Sequence, residues 1–271
     1  MTLKKTLTLA GSDSSGGAGI QADLKTFQEL GVYGMTALTS IVAMDPKNDW
    51  HHNVFPIDVK TVEPQLETIL SVNIDAMKTG MLGSVDIIEL AARKIGEHKL
   101  DKVVIDPVMV CKGEDEVLQP ENTDAMRELL VPRATIVTPN LFEAGQLAKS
   151  GPINTIDDMK AAAVKIHDLG AKNVVIKGGK QLHHEKAVDL FYDGSDFTLL
   201  ESEKFDTTFN HGAGCTFAAA ITAELAKGSS VKEAVAVAKK FVSAAIEHGF
   251  KLNQYVGPVM HGAYTRFVTN K

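Results

Sequence analysis

The sequence has 271 residues, 44% of them hydrophobic and 23% charged, an ordinary globular composition that excludes a disordered, fibrous or disulfide-stapled chain. Its formal charge of −6 excludes a general electrostatic attraction to nucleic acid or anionic membrane, so an anionic ligand must be held by a local device. The two cysteines, Cys111 and Cys215, have neither metal-ligand spacing nor a disulfide framework, and free thiols point to a cytoplasmic protein.

Taken in chain order, the start is too soon polar for a signal peptide, and no window approaches the about 18 apolar residues of a membrane span. Short β-branched runs at residues 7–10, 37–43, 76–79, 102–105, 135–138 and 173–177 read as strands. Between them, residues 20–30, 59–70, 85–97, 122–130, 141–149 and 156–169 carry apolar positions at three- and four-residue spacing, which predicts helices. Gly31 and Gly170 fall where helix C-caps belong. Parallel strands need crossover helices, so this alternation predicts an α/β fold: a three-layer α/β/α domain around a mostly parallel central sheet. Residues 187–192 and 197–200 flank Asp193-Gly194-Ser195, a hairpin signal that predicts an antiparallel edge. Residues 215–226 and 231–248 are Ala-rich and amphipathic, with Lys227-Gly228-Ser229-Ser230 as helix stop and next N-cap. The tail, residues 255–271, is weakly patterned and is expected at the surface. No boundary, repeat or low-complexity tract interrupts the chain, so residues 1–271 are expected to form one domain.

Ligands of an open parallel sheet sit beyond the carboxyl ends of its strands, which directs attention to five stretches expected on one rim. These are residues 11–19, Met44-Asp45, Gly80-Met81, the run from Asp106 to Cys111, and the run from Pro139 to Glu143. Gly17-x-Gly19-x-x-Ala22 formally matches a dinucleotide fingerprint, but the acidic residue such a site wants after the second strand arrives late, as Asp45 beside Pro46. Asp23, at the start of the first helix, is a candidate for binding a ligand donor. The sharpest feature is Asn210-His211-Gly212-Ala213-Gly214-Cys215, directly before a helical pattern. Small residues there uncover backbone N–H groups at the positive end of a helix dipole, a site suited to phosphate or to a phosphoryl group in transfer. The same dipole is expected to lower the Cys215 thiol pKa towards neutrality and prepare a base for a substrate hydroxyl.

Several motifs then fall in the order and spacing of one family. Gly11-Ser12-Asp13, Gly16-Gly17-Ala18-Gly19-Ile20-Gln21-Ala22-Asp23, Lys78-Thr79-Gly80-Met81-Leu82, Asp106-Pro107-Val108-Met109, Asn140-Leu141-Phe142-Glu143, Lys177-Gly178-Gly179 and His211 to Thr216 run over nearly the whole chain. The sequence resembles the ribokinase superfamily, in its branch of hydroxymethylpyrimidine kinases and bacterial pyridoxal kinases. The resemblance implies a ribokinase-like fold and phosphorylation, with ATP and Mg2+, of a hydroxymethyl group on a small heteroaromatic ring. A monovalent cation and a homodimer belong to the same expectation. It implies an anion hole of Gly212, Ala213 and Gly214 with Cys215 as catalytic base. Asn140 and Glu143 would organise magnesium and phosphates, Glu143 and Asp106 would serve the metal, and Lys177, Gly179 and His211 would meet the nucleotide. Magnesium's preference for oxygen ligands and retained waters agrees with that set. Simpler readings stand beside these: Asn140 and Glu143 make a capping box, and Asp106 before Pro107 forms a turn.

On the substrate side the resemblance draws Gly11, Met44, Met81 and Val108 to the ring. Met44 stands where the pyrimidine kinases commonly carry glutamine, and an adaptable apolar wall favours pyridoxal, pyridoxine and pyridoxamine over an amino-pyrimidine edge. His51 and His52, in an expected loop at residues 48–55, are placed to contact a ring hydroxyl, and Trp50 to help cover the ring. Cys111, in a polar loop beside Lys112, is a candidate for reversible addition to the pyridoxal aldehyde. Rival readings are a binding protein without turnover and a dehydrogenase using the glycine-rich turn.

Overall fold

The computed structural model describes residues 2–109 and 120–269. Nine strands form one sheet in the order β3-β2-β1-β4-β5-β6-β7-β8-β9. They are β1 (Lys5–Asp13), β2 (Tyr33–Asp45), β3 (His51–Pro56), β4 (Ala76–Thr79), β5 (Val103–Ile105), β6 (Ile136–Val137), β7 (Val174–Gly179), β8 (Ala187–Tyr192) and β9 (Phe197–Ser202). The six strands from β2 across to β7 are parallel, and β3, β8 and β9 add antiparallel edges.

The helices are α1 (Gly19–Glu29), α2 (Val59–Leu70), α3 (Val85–Glu97), α4 (Pro120–Ala125), α5 (Leu141–Ala148), α6 (Ile156–Asp168), α7 (Ala213–Lys227) and α8 (Val231–Glu247). Period-two alternation sorts strand side chains between two layers. Leu7, Leu9, Met77, Val103, Ile105 and Val137 pack with α2, α3, α5 and α6. On the other face Ala76, Val104, Ile136 and Val175 pack against Phe217, Ile221 and Phe241 of α7 and α8, while Phe27 of α1 joins Ala219 and Ala223. This is the expected three-layer arrangement. Caps set several helix starts: Asp58 and Ser84 accept from Lys60 and Ile87 amides, and Asn140, Thr155 and Ser230 each make a reciprocal box with the third helical residue.

Three expectations are corrected. The expected loop at residues 48–55 mostly belongs to the edge strand β3 (His51–Pro56), because Met44 and His52, and Ala43 and Asn53, come into antiparallel register. The helix expected at 122–130 is α4 followed by a π-helical turn, Met126–Leu130. The tail is not all surface: Val256, Val259, His261 and Ala263 are buried. His211 N–H donates to Gly257 O at 3.1 Å, and Val259 N–H donates to His211 O at 3.1 Å.

Candidate active site

The alternation that builds the core also builds a polar floor. Lys78, Asp106, Thr138 and Lys177 continue, at the carboxyl ends of four parallel strands or just beyond them, the row that faces α1 and α7. A cleft of about 380 Å³ opens over that floor. Ser12 and Asp13 of β1, Met44 of β2, His52 of β3, Met81, Val108, Glu143 and the first turn of α7 share its walls. A second cavity of about 350 Å³, lined by Gly179, Phe205, Lys239 and Val242, adjoins it at Asn140, Lys177, Ala213 and Gly214.

The approach to α7 is shaped by a left-handed residue. Gly212 has φ +83, and a Cβ there would run into the Gly17 carbonyl oxygen, so only glycine lets the two glycine-rich turns meet. Ala213 N–H is taken by Asn210 O at 3.1 Å. The Gly214 and Cys215 amides, next along the helix, have no carbonyl of their own helix to bond and belong to residues on the cleft wall. A Cβ on Gly214 would touch Lys177 Nζ at 3.4 Å, so that amide lies beside an ammonium.

Two clusters of charged groups set the electrostatics. Burial works against the Asp13 carboxylate, yet hydrogen bonds from His211 and Ser15 outweigh it and hold the carboxyl well below its usual range. His211 Nε2 lies 2.7 Å from Asp13 Oδ2 and, facing a carboxylate, carries the proton. Asp13 also accepts from Ser15 and Ala18 amides at 2.7 and 2.8 Å, so it ties the turn after β1 to the turn before α7. Asp106 accepts from Thr138 Oγ1 at 2.9 Å and pairs with Lys177 at 3.0 Å. Burial costs Lys177 charge, but Asp106 and Glu143 more than restore it and raise its pKa. Glu143 accepts from Asn140 N–H at 2.8 Å in the capping box while burial, opposed by Lys177, pushes its carboxyl up to about 7.

The structure brings Gly11, Met44, His52, Met81, Val108, Asp106, Asn140, Glu143, Lys177, His211, Gly212, Ala213, Gly214 and Cys215 to one cleft. Gly179 lies in the adjoining cavity. His211 has its ring committed to Asp13, which makes it a support of the α7 turn. Several expectations fail. Asp23 does not reach the cleft: it is fully buried, held by Lys78 Nζ at 2.9 and 3.0 Å and by Thr8 Oγ1 at 2.6 Å. Its signal was available, since Ile20, Asp23 and Phe27 share one helical stripe and an acid on an apolar stripe needs a buried partner. The Cys215 thiol is not lowered either. Desolvation dominates, aided by Asp23 and Asp106, and pushes it up to about 11 against the pull of Lys78. Trp50 stacks on Tyr255 at 6.2 Å and does not line the cleft. Cys111 lies outside the described residues. Sequence reasoning gave no role to Asp13 or Lys78, although an aspartate in a glycine-rich turn and a lysine in a central strand both demand a partner.

Residues 13–260 match the phosphomethylpyrimidine kinase family. The chain belongs to that family. A pyridoxine kinase of Bacillus subtilis is 65% identical over 264 residues, 97% of each chain. A hydroxymethylpyrimidine/phosphomethylpyrimidine kinase of the same organism is 44% identical over 267 residues, 98% of this chain and 97% of that one. The solved pyridoxal kinase of Staphylococcus aureus in complex with AMP-PCP and pyridoxal superposes with a TM-score of 0.94 at 55% identity, covering 98% of this chain and 96% of that one. The cleft wall presents Met44 and His52 side by side, in register on β2 and β3.

Proposed function

We propose that the protein transfers the terminal phosphoryl group of ATP to the hydroxymethyl group of pyridoxal, pyridoxine and pyridoxamine, with hydroxymethylpyrimidine as a poorer acceptor. The observation that carries this reading is the meeting, in one cleft, of the α7 N-terminus, Cys215, Lys78, the Lys177–Asp106 pair and an apolar ring wall. The higher identity to a pyridoxine kinase than to a pyrimidine kinase supports the vitamin B6 choice.

In this reading the polyphosphate lies along the boundary of the two cavities, over Lys177, with the nucleoside towards Gly179 and the α8 side. The Gly214 and Cys215 amides, with the Gly212 turn and Ala213 behind them, face charge that develops on the moving phosphoryl group. Asp106 and Glu143 offer hard carboxylate oxygens beside Lys177, a donor set that fits one magnesium ion retaining waters and phosphate ligands. Bound there, the ion neutralises polyphosphate charge. Met44, Met81 and Val108 flank the ring, His52 reaches its polar substituents, and the Cys215 sulfur removes the hydroxyl proton as the new bond forms. The reading extends to a homodimer, supported by Ile41 and Phe55, exposed and directly opposed across β2 and β3 at the sheet edge.

The deciding experiment is kcat/KM with magnesium-ATP for pyridoxal and for hydroxymethylpyrimidine. We expect the larger value for pyridoxal. A clear excess for the pyrimidine reverses the substrate, and no turnover of either leaves a binding protein.

A further inference from the structure

Lys78 is a charged side chain with no solvent exposure in the second central strand of the sheet, and its only ion-pair partner among the described residues, Asp23, is equally buried. Such a pair is weak evidence for stability, because desolving two ions cancels most of their attraction and an apolar pair of similar volume does as well. Its placement says more. Thr8 and Lys78 stand opposite each other in register on β1 and β4, both turned to the α1/α7 layer, and both bind the Asp23 carboxylate. An ammonium has three N–H donors, and the two carboxylate oxygens account for two. Lys78 also forms part of the cleft floor with Cys215 and Asp106, and a Cβ on Gly80 would touch its Nζ at 3.5 Å.

We propose that Lys78, anchored by Asp23, is the fixed counter-cation of the Cys215 thiolate and therefore a positioning residue for proton removal. The inference rests on Cys215 being the base. The charged groups facing that sulfur are Lys78 from β4, Asp23 from α1, Asp106 beyond β5 and Lys177 from β7. Among them the attraction of Lys78 is the largest, greater than the opposing push of either aspartate. Lys177 cannot fill the same office throughout turnover, because it is partly exposed, shared with Asp106 and Glu143, and placed for the polyphosphate. Lys78 has no such competing duty. Asp23 serves to hold the ammonium in place and to temper its effect on the thiol.

The test reads the sulfur without needing turnover: the pH dependence of Cys215 alkylation by iodoacetamide in the full-length protein, followed by mass analysis of the Cys215 peptide so that Cys111 does not contribute. Asp23→Asn leaves the cation and removes the opposing charge, so alkylation at pH 7 should be faster than in the wild type. Adding Lys78→Gln to that variant removes the cation and leaves an uncharged amide pair, and alkylation should then slow by about tenfold relative to Asp23→Asn, a shift of about one pH unit. Coincident profiles for the single and double variants overturn the proposal. Should the double variant fail to fold, Lys78→Gln alone decides: alkylation slower than in the wild type supports the proposal, and a profile coincident with the wild type refutes it. Lys78→Arg, which keeps the charge, should restore most of the wild-type profile. Full turnover by Cys215→Ala would instead sink the base assignment while leaving the alkylation result standing.

Discussion

At the scale of single residues, the contest at Cys215 is between a helix dipole and desolvation. A dipole acts within the first turn and contributes about 0.3–1 kcal/mol when exposed, whereas removing water from a charged sulfur costs more, so burial wins and the thiol rises to about 11. A raised base must lose its proton before it works, so activity depends on a thiolate fraction that grows with pH. We expect kcat/KM for pyridoxal to climb from pH 7 to 9.5 without a plateau near neutrality. A profile already flat above pH 7 would show that the sulfur is not the base in this state. Gly212 poses a steric question instead. Gly212→Ala forces a side chain onto the Gly17 carbonyl from a left-handed backbone, at a cost on the order of 2–3 kcal/mol. The melting temperature should fall by about 5–10 °C and turnover by more than tenfold. Gly214→Ala meets only the mobile end of Lys177, so its thermal stability should stay near the wild type.

At the scale of elements, Asp13 links two turns that belong to distant parts of the chain. The native state holds its carboxyl below the value it takes in the unfolded chain, so the native state binds the proton more weakly and is favoured wherever the unfolded group is ionised. That stability is complete above about pH 4 and is lost as pH falls through the native value. Urea unfolding at pH 6 should show Asp13→Asn weaker than wild type by about 2–4 kcal/mol, from lost charge-assisted hydrogen bonds. At pH 3 the gap should narrow, and a gap that widened would contradict the assignment. The elements also divide by how far they were legible. α2 and α3 could be read to the residue because their apolar spacing is a local signal. β3 was not, because His51-His52-Asn53 has no strand alternation and becomes a strand only by pairing with β2. The buried turn of the tail has the same cause: its backbone bonds reach His211, 46 residues back from Gly257.

At the scale of the whole molecule, the residues on the site were legible and their directions were not. Strand ends placed Gly11, Met44, Met81, Asp106 and Glu143 on one rim, yet the inward turn of Asp23 and the His211–Asp13 link depend on how α1 and the tail pack against α7. The cleft lies where side chains from five strands and the N-termini of α5 and α7 converge, so its polar floor is a property of the sheet and not of a single motif. The exposed Ile41 and Phe55 pair at the β3 edge belongs to this scale too. Light scattering should report twice the monomer mass, and Phe55→Lys should shift it towards the monomer. A monomer in the wild type would remove the homodimer from the proposal.

The most direct test of the central claim is the steady-state turnover of Cys215→Ala with magnesium-ATP and pyridoxal, measured beside the wild type. The account predicts a fall in kcat of about 10²–10⁴ with KM for pyridoxal changed by less than about threefold, the pattern of a lost proton acceptor in an intact cleft. A kcat within a factor of about two of the wild type would contradict it.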